Sequence, residues 1–183
     1  TGVQTCALPI SRFSDDLLWL PFVTADYINH TGDLSILDEN VPYLKDEPLK
    51  EGEDERYNVV MNCDKQGSIY EHCLKAIDKG LNFGPHNIPL IGSGDWNDGF
   101  STVGNKGTGE SVWLGWFLYY ILEEFIEICN IKKDEDTKRK YSETKKFIRE
   151  NLEKNAWDGA WYRRAYFDDG TPLGSIENSE CTI

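Results

Sequence analysis

ESVWLGWFLYYILEEFIEICNI, residues 110–131, is followed after two lysines by DEDTKRKYSETKKFIRENL, residues 134–152. The first run is apolar and aromatic on nearly all sides, so as a helix it must be buried between neighbours. The second is its polar counterpart, with only Tyr141, Phe147, Ile148 and Leu152 forming a narrow stripe, as expected of a helix with one packed face. Working toward the N-terminus, Ser68 opens another helix through Tyr70, Cys73, Leu74 and Ile77, stopped by the glycines at 80 and 84 and by Pro85. Ser14-Asp15-Asp16 reads as a cap before the apolar stripe Leu17, Leu18, Leu20, Val23, Ala25 and Ile28, with an end near Thr31-Gly32. A short helix is expected over 33–40, a long polar connection over 41–62, and a strand over 157–167 leading into the turn Asp168-Asp169-Gly170. The fold class is therefore all-α, about five helices with one small β element near the C-terminus. Alternating buried and amphipathic helices suggest a layered helical toroid, which five helices cannot close.

The chain has 183 residues, and both ends read as cut. Its first ten residues, TGVQTCALPI, resemble a translated sequencing adapter and are set aside, which leaves 11–183 as an incomplete domain. The formal net charge is −13, a surface that repels phosphate backbones and speaks against nucleic acid and anionic membranes as partners. Neutral sugars remain easy partners. Aromatic residues make up 13%, with six Trp and nine Tyr, enough to supply both core and sugar-stacking faces. The five cysteines, at 6, 63, 73, 129 and 181, form no CxxC pair, which is the pattern of reduced, buried thiols and of a cytoplasmic location. The longest apolar run, 112–131, is broken by acids at 123, 124 and 127 and is not a membrane span.

Residues 85–109 fit neither a helical nor a strand period. Within them lies Gly92-Ser93-Gly94-Asp95-Trp96-Asn97-Asp98-Gly99. Two carboxylates three residues apart, an aromatic ring between them and glycines around them suit glycosidic cleavage. That chemistry needs an acid to protonate the leaving oxygen beside a platform that orients the sugar. The same residues also make an ordinary turn, because Asp-Gly and Asn-Asp favour loops and a Trp can anchor one. The acid and amide spacing of a calcium loop is absent.

IGSGDWNDGF together with ESVWLGWFLYYIL, SRFSDDLLWLPFV and WYRRAYFDDGTPLGSIENSECTI resembles glycoside hydrolase family 94, the inverting phosphorylases of β-linked glucosides, and most of all its β-1,2-glucan members. The four blocks occur in the family's order. The resemblance implies an (α/α)6 toroid, here partial, and cleavage of β-linked, in particular β-1,2, glucooligosaccharides by phosphate to give α-glucose 1-phosphate. It makes Asp98 the general acid and places Trp96 against the sugar on the non-reducing side. Asp16 then binds that sugar's hydroxyls with Arg12 beside it, and Glu177 and Glu180 line the acceptor side. Asp95 and Asn97 would shape the loop. A further basic residue expected upstream falls where the adapter-like segment stands.

The resemblance implies no cofactor and no metal, only inorganic phosphate as co-substrate, and partners limited to an oligosaccharide, phosphate and a second copy in a homodimer. A nucleophile that is already an anion removes the need for the second carboxylate of an inverting hydrolase. The resemblance implies that most of the phosphate pocket lies beyond the last residue, and His30, His72 and His86 are scattered, so this segment alone is expected to be inactive. Two readings compete: an inverting hydrolase on the same frame, and a non-catalytic carbohydrate-binding or trimming domain of a cyclic β-1,2-glucan synthase, a cytoplasmic domain of an inner-membrane protein.

Overall fold

A computed structural model describes residues 10–56 and 61–178. In chain order these form β1 (Ile10–Ser11), a 3-10 turn (Asp16–Leu18), α1 (Trp19–Thr31), a second 3-10 turn (Leu34–Asp38), β2 (Asn40–Lys45), β3 (Glu55–Arg56), β4 (Met61–Ser68) and α2 (Ile69–Gly80). After the long loop come β5 (Glu110–Ser111), α3 (Val112–Lys132), α4 (Glu135–Asn151), a π-helical turn (Leu152–Ala156), β6 (Ala165–Tyr166) and β7 (Pro172–Leu173).

The helices stand where the sequence places them, but their inward faces differ in part from the expected stripes: Val23 and Phe147 are exposed, while Pro21 and Thr24 are buried. α1 buries Pro21, Thr24, Ala25 and Ile28, a single stripe. It ends at Gly32, whose φ of +71° lets its N–H reach the Ile28 carbonyl at 2.8 Å. α2 starts with a full capping box, Ser68 accepting from the Glu71 N–H while the Glu71 side chain accepts from the Ser68 N–H. α3 buries Leu114, Leu118, Ile121, Leu122, Phe125 and Ile128, while Trp113, Trp116, Phe117 and Tyr119 are half-buried on its flanks rather than enclosed and Tyr120 is exposed. Gly115 lies under Leu152: a Cβ there would come 2.9 Å from a Leu152 methyl. α4 contributes Tyr141 and Ile148 to the same core, which also takes in Leu18, Leu37 and Ile77. Asp134 joins the two helices, accepting from the Thr137 N–H at 3.1 Å and from the buried Tyr70 hydroxyl at 3.0 Å.

The β structure departs from expectation. The span 41–62 contains strands, with β2 and β4 forming an antiparallel ribbon from Asn40↔Ser68 to Lys45↔Met61, broken by a bulge between Pro42 and Leu44. Its residues are mostly polar and half-exposed, so a period-2 apolar signal is missing; cross-strand pairing holds it, and the Tyr43 ring packs inward on His72 at 4.1 Å. β1 pairs with β3, which places β structure at the start of the chain as well as near its end. Near the C-terminus the strand expected over 157–167 is confined to Ala165–Tyr166, the middle of a three-stranded sheet ordered β5-β6-β7. A second small core of Ile91, Val103, Ala165 and Leu173 lies beneath the long loop.

Of the thiols, Cys73 and Cys129 are buried but Cys63 is only half-buried on β4; Cys6 and Cys181 lie outside the described residues. Among the described residues no helix is long and apolar enough to cross a membrane.

Candidate active site

The loop after α2 and the segment before α1 are joined by their backbones. Ser93 N–H donates to the Arg12 carbonyl at 3.1 Å, and Ser14 N–H donates to the Gly94 carbonyl at 3.0 Å. Glycine makes this approach possible. Gly92 has φ +65°, and a Cβ on it would stand 2.2 Å from the Arg12 oxygen; a Cβ on Gly94 would stand 2.7 Å from the Phe13 ring. The two acidic blocks, 15–16 and 95–98, thus belong to one site although they are about eighty residues apart in sequence.

Within the loop the two acids have different surroundings. Asp95 is 3% exposed and accepts three hydrogen bonds: Asn97 N–H at 2.8 Å, the Asn97 amide at 2.9 Å, and the Ser111 hydroxyl. Asp98 begins the 3-10 turn Asp98–Phe100, is exposed, and has no hydrogen-bond or ion-pair partner among the described residues. A carboxyl group so placed is free to meet a ligand. Trp96, between them, is 63% exposed, and its ring centroid lies 5.3 Å from that of Trp19. Trp19 continues into an aromatic cluster with Phe117 at 4.8 Å and Phe22 at 5.6 Å, so Trp96 is an open ring with a rigid aromatic backing.

In the first block, Asp15 is buried and accepts from Trp19 Nε1 at 2.9 Å instead of capping a backbone N–H. Burial pushes its carboxyl above the usual range, against the lowering effect of the Trp19 hydrogen bond. Asp16 is half-exposed and accepts from the Ser11 hydroxyl. Arg12 is exposed and its guanidinium donates to the Lys50 carbonyl at 2.8 Å, holding the 46–54 loop against the site. Ser93 donates to Asp54 at 2.7 Å and fastens the same loop from the other side.

Glu177 is exposed near the C-terminus, its N–H on the Ser175 hydroxyl at 3.2 Å, and Glu180 lies outside the described residues. The three histidines are dispersed. His30 is exposed with Nδ1 2.8 Å from the Asp26 carbonyl, and His72 is buried on Tyr43. The ring of His86 stacks on Tyr166 at 3.9 Å, with Nδ1 2.5 Å from the buried carboxylate of Glu110. A shallow groove lined by Lys146, Arg149, Glu150, Glu153 and Lys154 contains none of the residues of the two blocks.

Below the site, Asp168 accepts from the N–H groups of Lys106, Thr108 and Gly109 at 2.8–2.9 Å. Burial opposes its charge, but these donors outweigh that and hold its pKa below the usual carboxylate value. Periodicity alone did not single out Trp19, Asp15 or Ser111. Two signals do point to them: an aromatic four residues after an acid at a helix start, and a serine immediately before an apolar run.

The site thus sets an exposed acid beside an open tryptophan on a glycine-shaped loop. The profile of the Glycosyl hydrolase 94 superfamily, catalytic domain, matches residues 41–183. The chain belongs to glycoside hydrolase family 94. It is similar to the cyclic β-(1,2)-glucan synthase NdvB of Rhizobium meliloti, 42% identical over 183 residues, all of this chain but 6% of that protein. The solabiose phosphorylase of Paenibacillus borealis is 35% identical over 93% of this chain and 20% of its own length. The N,N'-diacetylchitobiose phosphorylase of Vibrio furnissii is 31% identical over 91% of this chain and 18% of its own. The chain therefore spans a fifth or less of these curated relatives, and belongs to a family of glycoside phosphorylases and glucan-synthase domains.

Proposed function

We propose that the complete protein is an inverting phosphorylase of β-linked glucooligosaccharides, with Asp98 as its general acid, and that the helices described are part of an (α/α)6 toroid. The observation that carries this is an exposed Asp98, without a hydrogen-bond or ion-pair partner among the described residues, two positions from the open ring of Trp96 in a chain of this family. In the reaction, the oxygen of hydrogen phosphate attacks the anomeric carbon from the face opposite the leaving group. The C–O bond to the departing sugar breaks as Asp98 transfers its proton to that oxygen. The proton that phosphate loses restores the Asp98 carboxyl, so no separate base is consumed. Trp96 holds the apolar face of the sugar being transferred, and Asp16 binds its hydroxyls with Arg12 beside it. Glu177 and Glu180 belong to the acceptor side. No cofactor or metal enters these steps; phosphate is the co-substrate.

The 42% identity to a cyclic β-(1,2)-glucan synthase over the whole chain favours β-1,2-linked glucans as the substrate, and favours a second reading in which the domain trims glucan as part of a synthase. The test is glucose 1-phosphate release from β-1,2-glucooligosaccharides by the complete protein, with and without inorganic phosphate. Release only with phosphate supports phosphorolysis. Free glucose without phosphate identifies a hydrolase, and no product from any β-glucoside identifies a binding domain.

A further inference from the structure

Asp95 is an almost fully buried carboxylate that no ion pair reaches among the described residues. A buried charge without a cation is costly unless donors saturate it. Its donors come from two places. Oδ1 takes both Asn97 groups, fixing that residue at φ −88°, ψ 88°, the backbone position from which the Asp98 turn departs. Oδ2 takes the hydroxyl of Ser111, which is 0% exposed, lies in β5, and caps α3 by accepting from the Leu114 N–H at 3.1 Å. Ser111 is itself held, its N–H on the Pro89 carbonyl at 2.9 Å and its strand on Ala165 of β6. One hydroxyl therefore connects the N-terminus of a 21-residue core helix, where the helix dipole favours negative charge, to the residue before the acid.

We propose that Ser111 and Asp95 form a positioning couple for the general acid: α3 holds Ser111, Ser111 holds Asp95, and Asp95 sets the backbone that aims Asp98 at the leaving oxygen. This rests on the assignment of Asp98 above. Neither residue touches the sugar; both act through Asn97 and the turn. The couple also explains why an aspartate occupies position 95, since a neutral side chain would bind the turn but leave the Ser111 hydroxyl without its charged acceptor.

The experiment compares Asp98→Asn, Asp95→Asn, Ser111→Ala and Ser111→Thr in the complete protein on two substrates: a β-glucooligosaccharide, whose departing alkoxide needs a proton, and 2,4-dinitrophenyl β-glucoside, whose leaving group needs none. Both are assayed with phosphate, and unfolding midpoints are recorded. Asp95→Asn and Ser111→Ala are expected to lower kcat on the oligosaccharide by about 10 to 100-fold, with KM little changed and the dinitrophenyl substrate spared, because a misplacement near 1 Å costs on that order. Ser111→Thr keeps the hydroxyl and should restore most of the rate; it also keeps the question open to test should the other variants fail to fold. Equal losses on both substrates, or no loss on either, would overturn the positioning role. If Asp98→Asn itself leaves the oligosaccharide rate intact, the general-acid assignment fails first, which separates the two failures.

Discussion

The α3–α4 pair and the 92–98 loop lie next to each other in the chain and are held by opposite means. Between the helices the contacts are apolar and interchangeable in kind: Leu118, Ile121, Leu122 and Phe125 against Tyr141, Ile148 and Leu152, all at or near zero exposure. In the loop, apart from the Trp96 ring on Trp19, each constraint is a single specific contact: a glycine where a Cβ has no room, a carboxylate with named donors, one serine hydroxyl. Apolar packing spreads its free energy over many neighbours, so its failures are graded. The loop concentrates its constraints in a few atoms, and leaves two side chains, Trp96 and Asp98, exposed for use.

Four substitutions separate these regimes, and each is best measured in the complete protein. Asp98→Asn should lower kcat by about 10² to 10⁴-fold, the usual contribution of a general acid. The unfolding midpoint should stay unchanged, because Asp98 is exposed and its carboxyl has no hydrogen-bond or ion-pair partner among the described residues. Steady-state rates with a thermal melt show both at once. Phe125→Ala should do the reverse, lowering stability by about 3–5 kcal/mol in denaturant titration while the folded fraction keeps its kcat. A rate loss in excess of the unfolded fraction would mean that the core and the loop are more tightly coupled than described.

Gly92→Ala is expected to fall between them. A left-handed backbone and a Cβ 2.2 Å from the Arg12 oxygen force the two blocks apart, at about 1–3 kcal/mol and with a matching loss of rate. Retention of full activity would show that the two blocks need not be joined. Asp168→Asn is the smallest change, about 1 kcal/mol at neutral pH. Because the folded pKa of Asp168 is depressed, its stabilisation is present above the ordinary carboxylate pKa of about 4 and fades as pH falls through the lower folded value. The wild-type and Asn variants should therefore differ in melting temperature at pH 7 and converge in strong acid. A constant difference at all pH values would mean that packing, not charge, makes the contribution.

The helices were legible in sequence because their signals are local. Ser68 and Glu71 state a capping box, Gly32 states a stop, and the polar sequence of α4 leaves Tyr141 and Ile148 to mark its buried face, whereas α3, apolar nearly all round, did not show which of its faces stays open. The loop was legible as a loop from its glycines, while the chemistry proposed for Asp98 and Trp96 comes from the family resemblance. The ribbon of β2 and β4 was not, because Met61–Ser68 is polar and is held by pairing to residues some twenty positions away. Composition and spacing did not separate Asp15 from Asp16 either; only the family resemblance picked Asp16. Adjacent acids look alike in sequence, and only the fold turns one inward to Trp19 and leaves the other half-exposed. Arg12 shows the same limit, since its guanidinium meets a backbone carbonyl 38 residues away.

The central claim is phosphorolysis with inversion through a single acid, and ³¹P and ¹H NMR of the products formed by the complete protein from a β-1,2-glucooligosaccharide and inorganic phosphate tests it most directly. The account predicts α-glucose 1-phosphate accumulating in step with the shortened chain, and none from Asp98→Asn. β-Glucose 1-phosphate, or free glucose at the same rate without phosphate, would contradict it.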